Sequence, residues 1–167
     1  MMQLFNSFLE SDLPYFEPDG KVGLLATIDE EGLPHITMIT AMQAKDPAHL
    51  IFGQFCEGKG KDNVQVRNKA GFLLMTLNKE LWRGKALWTH SSATGPEADL
   101  FNQKPMWRYN SYFGIHTTHY LDLIGTTRKE KLPMGKIVAG VLKSHLYSVK
   151  QSDFEIMNQW TQYLISK

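Results

Sequence analysis

Between Lys21 and His90 the apolar positions fall into short runs separated by glycine-containing and charged turns, the pattern of antiparallel strands rather than of long helices. Val22, Leu24, Ala26 and Ile28 alternate along a first strand, 22–28. Glu30-Glu31-Gly32 follows as a tight turn, glycine accepting a positive φ there at little cost. A second strand, His35–Met42, sets Thr37 and Ile39 against Met38 and Thr40, and the two strands read as a hairpin. Asp46-Pro47 breaks the chain. Leu50–Phe55 is the third strand, Asp62–Asn68 a short polar helix or turn, and Gly71–Leu77 the fourth strand. Trp82–His90 is the fifth, with Trp82, Gly84, Ala86, Trp88 and His90 on one side. Tyr120–Thr126 and Ile137–Val149 read as two more.

Helical patterning is confined to the flanks. Leu4, Phe5, Phe8 and Leu9 mark one face of a short helix over 3–10, which Pro14 limits. Thr94-Gly95-Pro96-Glu97 has the spacing of a capping box, with a helix running to about Asn102 and Pro105 interrupting it. Residues 103–114, with Met106, Trp107, Tyr109 and Tyr112, read as a loop or lid. Ser152 and Glu155 form a second capping box. Phe154, Met157, Trp160, Tyr163 and Leu164 then predict a C-terminal helix. Strands do not alternate with long helices as parallel crossovers require, so a closed, mainly β barrel is expected, within a single domain of residues 1–167.

Composition narrows the functional classes. The chain has 167 residues, 43% of them hydrophobic and 21% charged, as in ordinary globular domains. A net charge of +1 gives no electrostatic case for nucleic acid or a membrane surface. Cys56 is the single cysteine, so no internal disulfide forms, and a cytoplasmic location is the expectation. The N-terminus has no secretory pattern, and no apolar run reaches the ~20 residues of a membrane span.

Four stretches, in order, carry a resemblance. They are Leu24-Leu25-Ala26-Thr27 leading into the turn Asp29–Pro34, the strand His35–Thr40, the run from Phe52 to Lys61-Asp62-Asn63, and Arg83–Ala86. Together they resemble the pyridoxamine 5′-phosphate oxidase-like family, the FMN-binding split barrels, over roughly the first half of the chain. The resemblance implies an antiparallel split β-barrel of six to seven strands, with short flanking helices and a C-terminal helix. It also implies bound FMN at the interface of a homodimer. The basic signatures of a true pyridoxamine phosphate oxidase are absent: Thr37–Thr40 stand on strand two, and the chain ends FEIMNQWTQYLISK. The expected activity is therefore transfer of hydride or electrons between FMN and some other small molecule, with NAD(P)H a candidate donor. A flavin carrier or sensor without turnover is the alternative, as is a deazaflavin- or haem-binding barrel.

Glu57-Gly58-Lys59-Gly60-Lys61 is the phosphate candidate, because glycines let backbone N–H groups turn to an anion and lysines offset its charge. Within the resemblance Lys61 is favoured over Lys59. Thr37, Met38, Ile39 and Thr40 would offer backbone and hydroxyl groups to the isoalloxazine, although each reads equally well as barrel core. Gln54 and Phe55 end the third strand nearby. Gln54 is a candidate for the ring edge or ribityl chain, and Asn63 for that chain or for a helix start. Arg83 reads more readily as a surface arginine than as a phosphate ligand. Trp88 and Trp107 are candidates for covering a flat ring, though tryptophan more often serves in packing. His116 and His119 point to opposite faces of a strand and have no cysteine or close carboxylate to complete a metal site. Cys56 reads as a buried, inert thiol, and Ser91-Ser92 beside His90 implies no relay. No catalytic residue is assigned.

Overall fold

The computed structural model describes residues 3–17, 20–105, 114–132 and 138. The chain divides into two compact units, Met1–Lys131 and Leu132–Lys167. Of the second only Leu132 and Val138 are described, so the architecture below is that of the first. The expected strand over 137–149 and the C-terminal helix lie outside the described residues, Val138 excepted. So does the 106–113 part of the expected lid, Trp107 included.

Among the described residues eight strands make one antiparallel sheet: β1 (Lys21–Ile28), β2 (Pro34–Met38), β3 (Met42–Asp46), β4 (His49–Gln54), β5 (Lys69–Thr76), β6 (Glu80–Ser92), β7 (Thr117–Thr126) and β8 (Glu130–Lys131). Two helices, α1 (Lys59–Arg67) and α2 (Pro96–Gln103), and a 3-10 helix at Glu10–Phe16 complete the described elements. The pairing order is β2-β1-β5-β6-β7-β4-β3, with β8 added to β6. The sheet's two edges, β2 and β3, are consecutive in the chain. Four Cα steps separate Met38 from Met42, so the edges lie at most about 15 Å apart and the sheet must curl into a barrel.

The expected second strand is thus two strands with a break over residues 39–41. Ile39 N–H donates to the Gly23 carbonyl on β1 at 2.7 Å, and Gly53 N–H on β4 donates to the Ala41 carbonyl at 2.8 Å. The chain crosses β1 so closely that a Cβ at position 23 would stand 2.2 Å from the Ile39 oxygen. Glycine at this position is what lets the crossing close the barrel.

Inside the barrel Leu25, Phe52, Leu74, Trp82, Ala86 and Leu121 form the core with Val64 of α1 and with Phe8 and Phe16 from the N-terminal segment. Trp82 is fully buried, its indole N–H donating to Asp12 Oδ2 at 3.1 Å and its ring meeting Phe16 edge-on at 4.7 Å. A satellite cluster of Ala41, Ile51, Phe101 and Ile115 lies where α2 covers the sheet.

Several sequence expectations change. Phe5 forms a bridge to Thr126 instead of beginning a helix, and the helix that does form, at Glu10–Phe16, contains Pro14. The expected polar helix starts at Lys59 rather than Asp62, because Gly58, Lys59 and Gly60 are its cap and first turn rather than a loop. The first capping box does not form. Gly95 is the N-cap of α2 without a side-chain bond, and Glu97 instead pairs with Lys45 at 2.8 Å and accepts from Tyr120 Oη at 3.0 Å. On β6, register shifts at Lys85/Ala86 and Trp88/His90 undo the regular alternation, leaving Trp82 and Ala86 buried and His90 exposed.

Candidate functional site

The inner face of β2 carries His35 and Thr37, paired with Thr27 and Leu25 of β1. The first turn of α1 lies against it. A Cβ on Gly60 would stand 2.3 Å from Thr37 Oγ1, so only glycine allows this approach. Thr37 Oγ1 is also bonded to His35 Nε2 at 3.1 Å. Farther along α1, Asn63 is buried and donates to Thr27 Oγ1 at 3.2 Å, fastening the helix to β1. That bond engages one N–H of the Asn63 amide in the fold.

Lys59 and Lys61, two residues apart on a helix, point to different sides. Lys59 is exposed and pairs with Glu30 at 3.1 Å, which raises its pKa. Lys61 is buried, and its ammonium donates to the Cys56 carbonyl and lies 3.7 Å from Cys56 Sγ. The two lysines therefore do not converge on one anion. Gly58, the N-cap of α1, offers no side chain, so the first N–H groups of the helix present their partial positive charge beside the Lys61 ammonium. Cys56 is exposed, not buried, because it follows the end of β4 in the turn that leads to α1.

Gln54, the last residue of β4, is buried. Its Oε1 meets His119 Nε2 at 2.6 Å, and its Nε2 donates to Glu57 Oε2 at 3.4 Å. His119, fully buried on β7, stacks on Phe52 with centroids 4.5 Å apart and accepts at Nδ1 from the Trp88 indole N–H at 3.2 Å. Burial, with the neighbouring charges of Lys61 and His116, pushes the His119 imidazole down to about 4, so it is neutral at physiological pH. Both ring nitrogens are used within the fold. Among the described residues no group of His, Cys, Asp and Glu is arranged to hold a metal ion.

Thr37, Gln54, Lys61 and Asn63 are thus gathered around the first turns of α1, with Cys56 and His119 joining them. The other candidates are placed as follows. Phe55 is exposed between Gln54 and Cys56, and Ile39 is buried at the barrel crossing. Met38 is 66% exposed on the outer face of β2. Thr40 is half-buried in the break between β2 and β3. Arg83 is on the outer face, where Glu130 takes its guanidinium through two bonds of 3.1 and 3.2 Å. Trp88 is half-buried: its ring packs against the core and its N–H serves His119.

The outer face has a feature of its own. Two grooves of about 290 and about 310 Å³ share Ala26, Gly71 and Lys85 as lining, with Leu24, Ile36, Leu73 and Arg83 around the first. Leu24, Ala26 and Ile28 of the alternation along β1 therefore line these grooves, while the core takes Leu25 from the opposite face. No described helix is long and apolar enough to cross a membrane.

No family model and no curated protein matches the chain. Solved structures do. A candidate pyridoxamine 5′-phosphate oxidase of Lactobacillus delbrueckii is 18% identical over 75% of this chain and 98% of that one, with a TM-score of 0.57. An FMN-binding protein of Syntrophomonas wolfei is 15% identical over 66% of this chain and 77% of its own, with a TM-score of 0.53. HupZ of Group A Streptococcus is 12% identical over 70% and 87%, with a TM-score of 0.50. The fold of the chain is the split barrel of the pyridoxamine 5′-phosphate oxidase-like, FMN-binding proteins, as the resemblance of its first half implies.

Proposed function

We propose that the chain binds FMN at the corner formed by β2, the end of β4 and the first turn of α1, and that it is an oxidoreductase working as a homodimer. The observation that carries this reading is the buried Lys61 ammonium beside the uncapped N-terminus of α1. A phosphate monoester there would meet a positive charge and the positive end of a helix with no side-chain cap. Thr37 Oγ1 and the Gln54 amide border the same corner, and they suit the hydroxyl and carbonyl groups of a flavin. When bound, FMN supplies the hydride or electron transfer, and the protein binds and orients it. The fold neighbours support a flavin, one of them being named an FMN-binding protein.

The homodimer reading is supported by the outer sheet face, where Ile28, Ile36, Met38 and Ile124 are exposed around the two grooves. The substrate would be a small redox-active molecule, with a nicotinamide nucleotide as the electron source.

The test is a visible absorption spectrum of the purified protein with and without added FMN, followed by anaerobic addition of NADH or NADPH. Two broad bands of bound oxidised flavin are expected, bleached by the nucleotide. Lys61→Ala should weaken FMN roughly ten- to a hundredfold, the worth of a charged hydrogen bond. Bound flavin that no reductant bleaches would leave a carrier or sensor. A sharp, intense haem band, or no response to saturating FMN, would overturn the flavin site.

A further inference from the structure

The hydrogen bonds running from Trp88 to Glu57 have a fixed direction. An indole N–H can only donate, so His119 Nδ1 must be the unprotonated nitrogen. The neutral ring then carries its proton on Nε2, which faces Gln54 Oε1 at 2.6 Å. An amide whose oxygen is held inward has its nitrogen turned outward. In Gln54 that nitrogen faces the turn before α1, with Glu57 Oε2 at 3.4 Å as its partner among the described residues. A contact that long engages one of the two N–H groups weakly and leaves the other for a ligand. The parallel stack of His119 on Phe52, with planes 10° apart, fixes the plane of the ring and so the direction of its Nε2–H.

The geometry points to His119 as a positioning residue that, with its tautomer set by Trp88, holds Gln54 as a hydrogen-bond donor toward the α1 corner. The group recognised there is an acceptor, a carbonyl, hydroxyl or phosphate oxygen. Resting on the FMN reading above, that group is an oxygen or ring nitrogen of the flavin. Without the histidine the amide could turn over and present its oxygen, which would repel the same acceptor. Desolvation of the site raises the cost of such a mismatch, because an unpaired acceptor facing an acceptor has no water to turn to.

The test joins a spectroscopic and a binding measurement. Long-range nitrogen–proton NMR of the histidine rings in the intact protein should show His119 neutral, protonated on Nε2, and so between pH 6 and 8. In Trp88→Phe the donor to Nδ1 is gone, and the ring should populate the other tautomer. FMN affinity should then fall about tenfold, one hydrogen bond's worth, and fall similarly in Gln54→Ala. The double variant should lose no more than either single one, because both remove the same donor. A wild-type ring protonated on Nδ1 overturns the inference whatever FMN does. So does FMN affinity unchanged in a folded Trp88→Phe whose tautomer has switched. Should the wild type bind no FMN at all, the proposed function fails, while the NMR tautomer still decides which way Gln54 is held.

Discussion

His119 links protonation to stability at the level of a single side chain. Its folded pKa is lowered from 6.5 to about 4, chiefly by burial. The unfolded chain therefore binds a proton in a window where the native chain does not. The stabilisation is fully present above pH 6.5 and is lost as pH falls from 6.5 to 4, by up to about 3 kcal/mol. Carboxylates titrate in the lower part of that window as well, so the expectation concerns a difference. Urea denaturation of the wild type and of His119→Gln at pH 7 and pH 4.5 should show a shallower pH dependence in the variant. Equal slopes would mean that the ring is not held neutral by the fold. Nothing local in the sequence marks this histidine. Its partners Trp88 and Gln54 stand 31 and 65 residues away, and only the pairing of β7 with both β6 and β4 brings them together.

Among the elements, α1 joins the fold to the candidate site, and Gly60 sets how closely it docks. Gly→Ala inside a helix ordinarily stabilises by about 1 kcal/mol. Here the added Cβ would meet Thr37 Oγ1 at 2.3 Å and Thr37 Cβ at 3.1 Å. Gly60→Ala should therefore reverse sign and destabilise by about 2 kcal/mol, the scale of overpacking. Adding Thr37→Ala removes the nearer atom and should recover part of the loss, although the Thr37–His35 bond goes with it. A double-mutant cycle by thermal or urea denaturation gives the coupling, and strictly additive effects would refute the contact. The same residue shows why element limits were only partly legible. Glycine reads as loop when seen alone, so the helix is expected to begin at Asp62, whereas Gly60 is there for close packing within the helix. The hairpin of β1 and β2 was legible because Gly32, at φ 85°, is a local turn signal. The break over residues 39–41 was not, since the apolar run continues through it and the cause is a backbone carbonyl on β1.

At the scale of the whole molecule, the outer sheet face is an apolar surface that calls for a cover. Register places Met38 opposite Leu24, Ile36 opposite Ala26, and Leu73 and Gly71 on the other side of those two, so the exposed apolar side chains form one surface across β2, β1 and β5. Met38 and Ile36 are 66% and 65% exposed at its edge. Surfaces of this kind on a protein in water mark a partner, and the homodimer proposed above supplies one in a second copy. Neither side chain supports the barrel core, so Ile36→Lys with Met38→Lys should leave the monomer's folding intact while placing two desolvated charges in each half of the interface. Sedimentation velocity at micromolar concentration should give a dimer for the wild type and a monomer for the double variant, with circular dichroism unchanged. If the second copy completes the flavin site, FMN affinity should fall in the same variant even though Lys61, Thr37 and Gln54 are untouched. A dimer that survives both charges would move the interface to another face. A monomer that still binds FMN as the wild type does would show that the β2–α1 corner holds the cofactor within one chain.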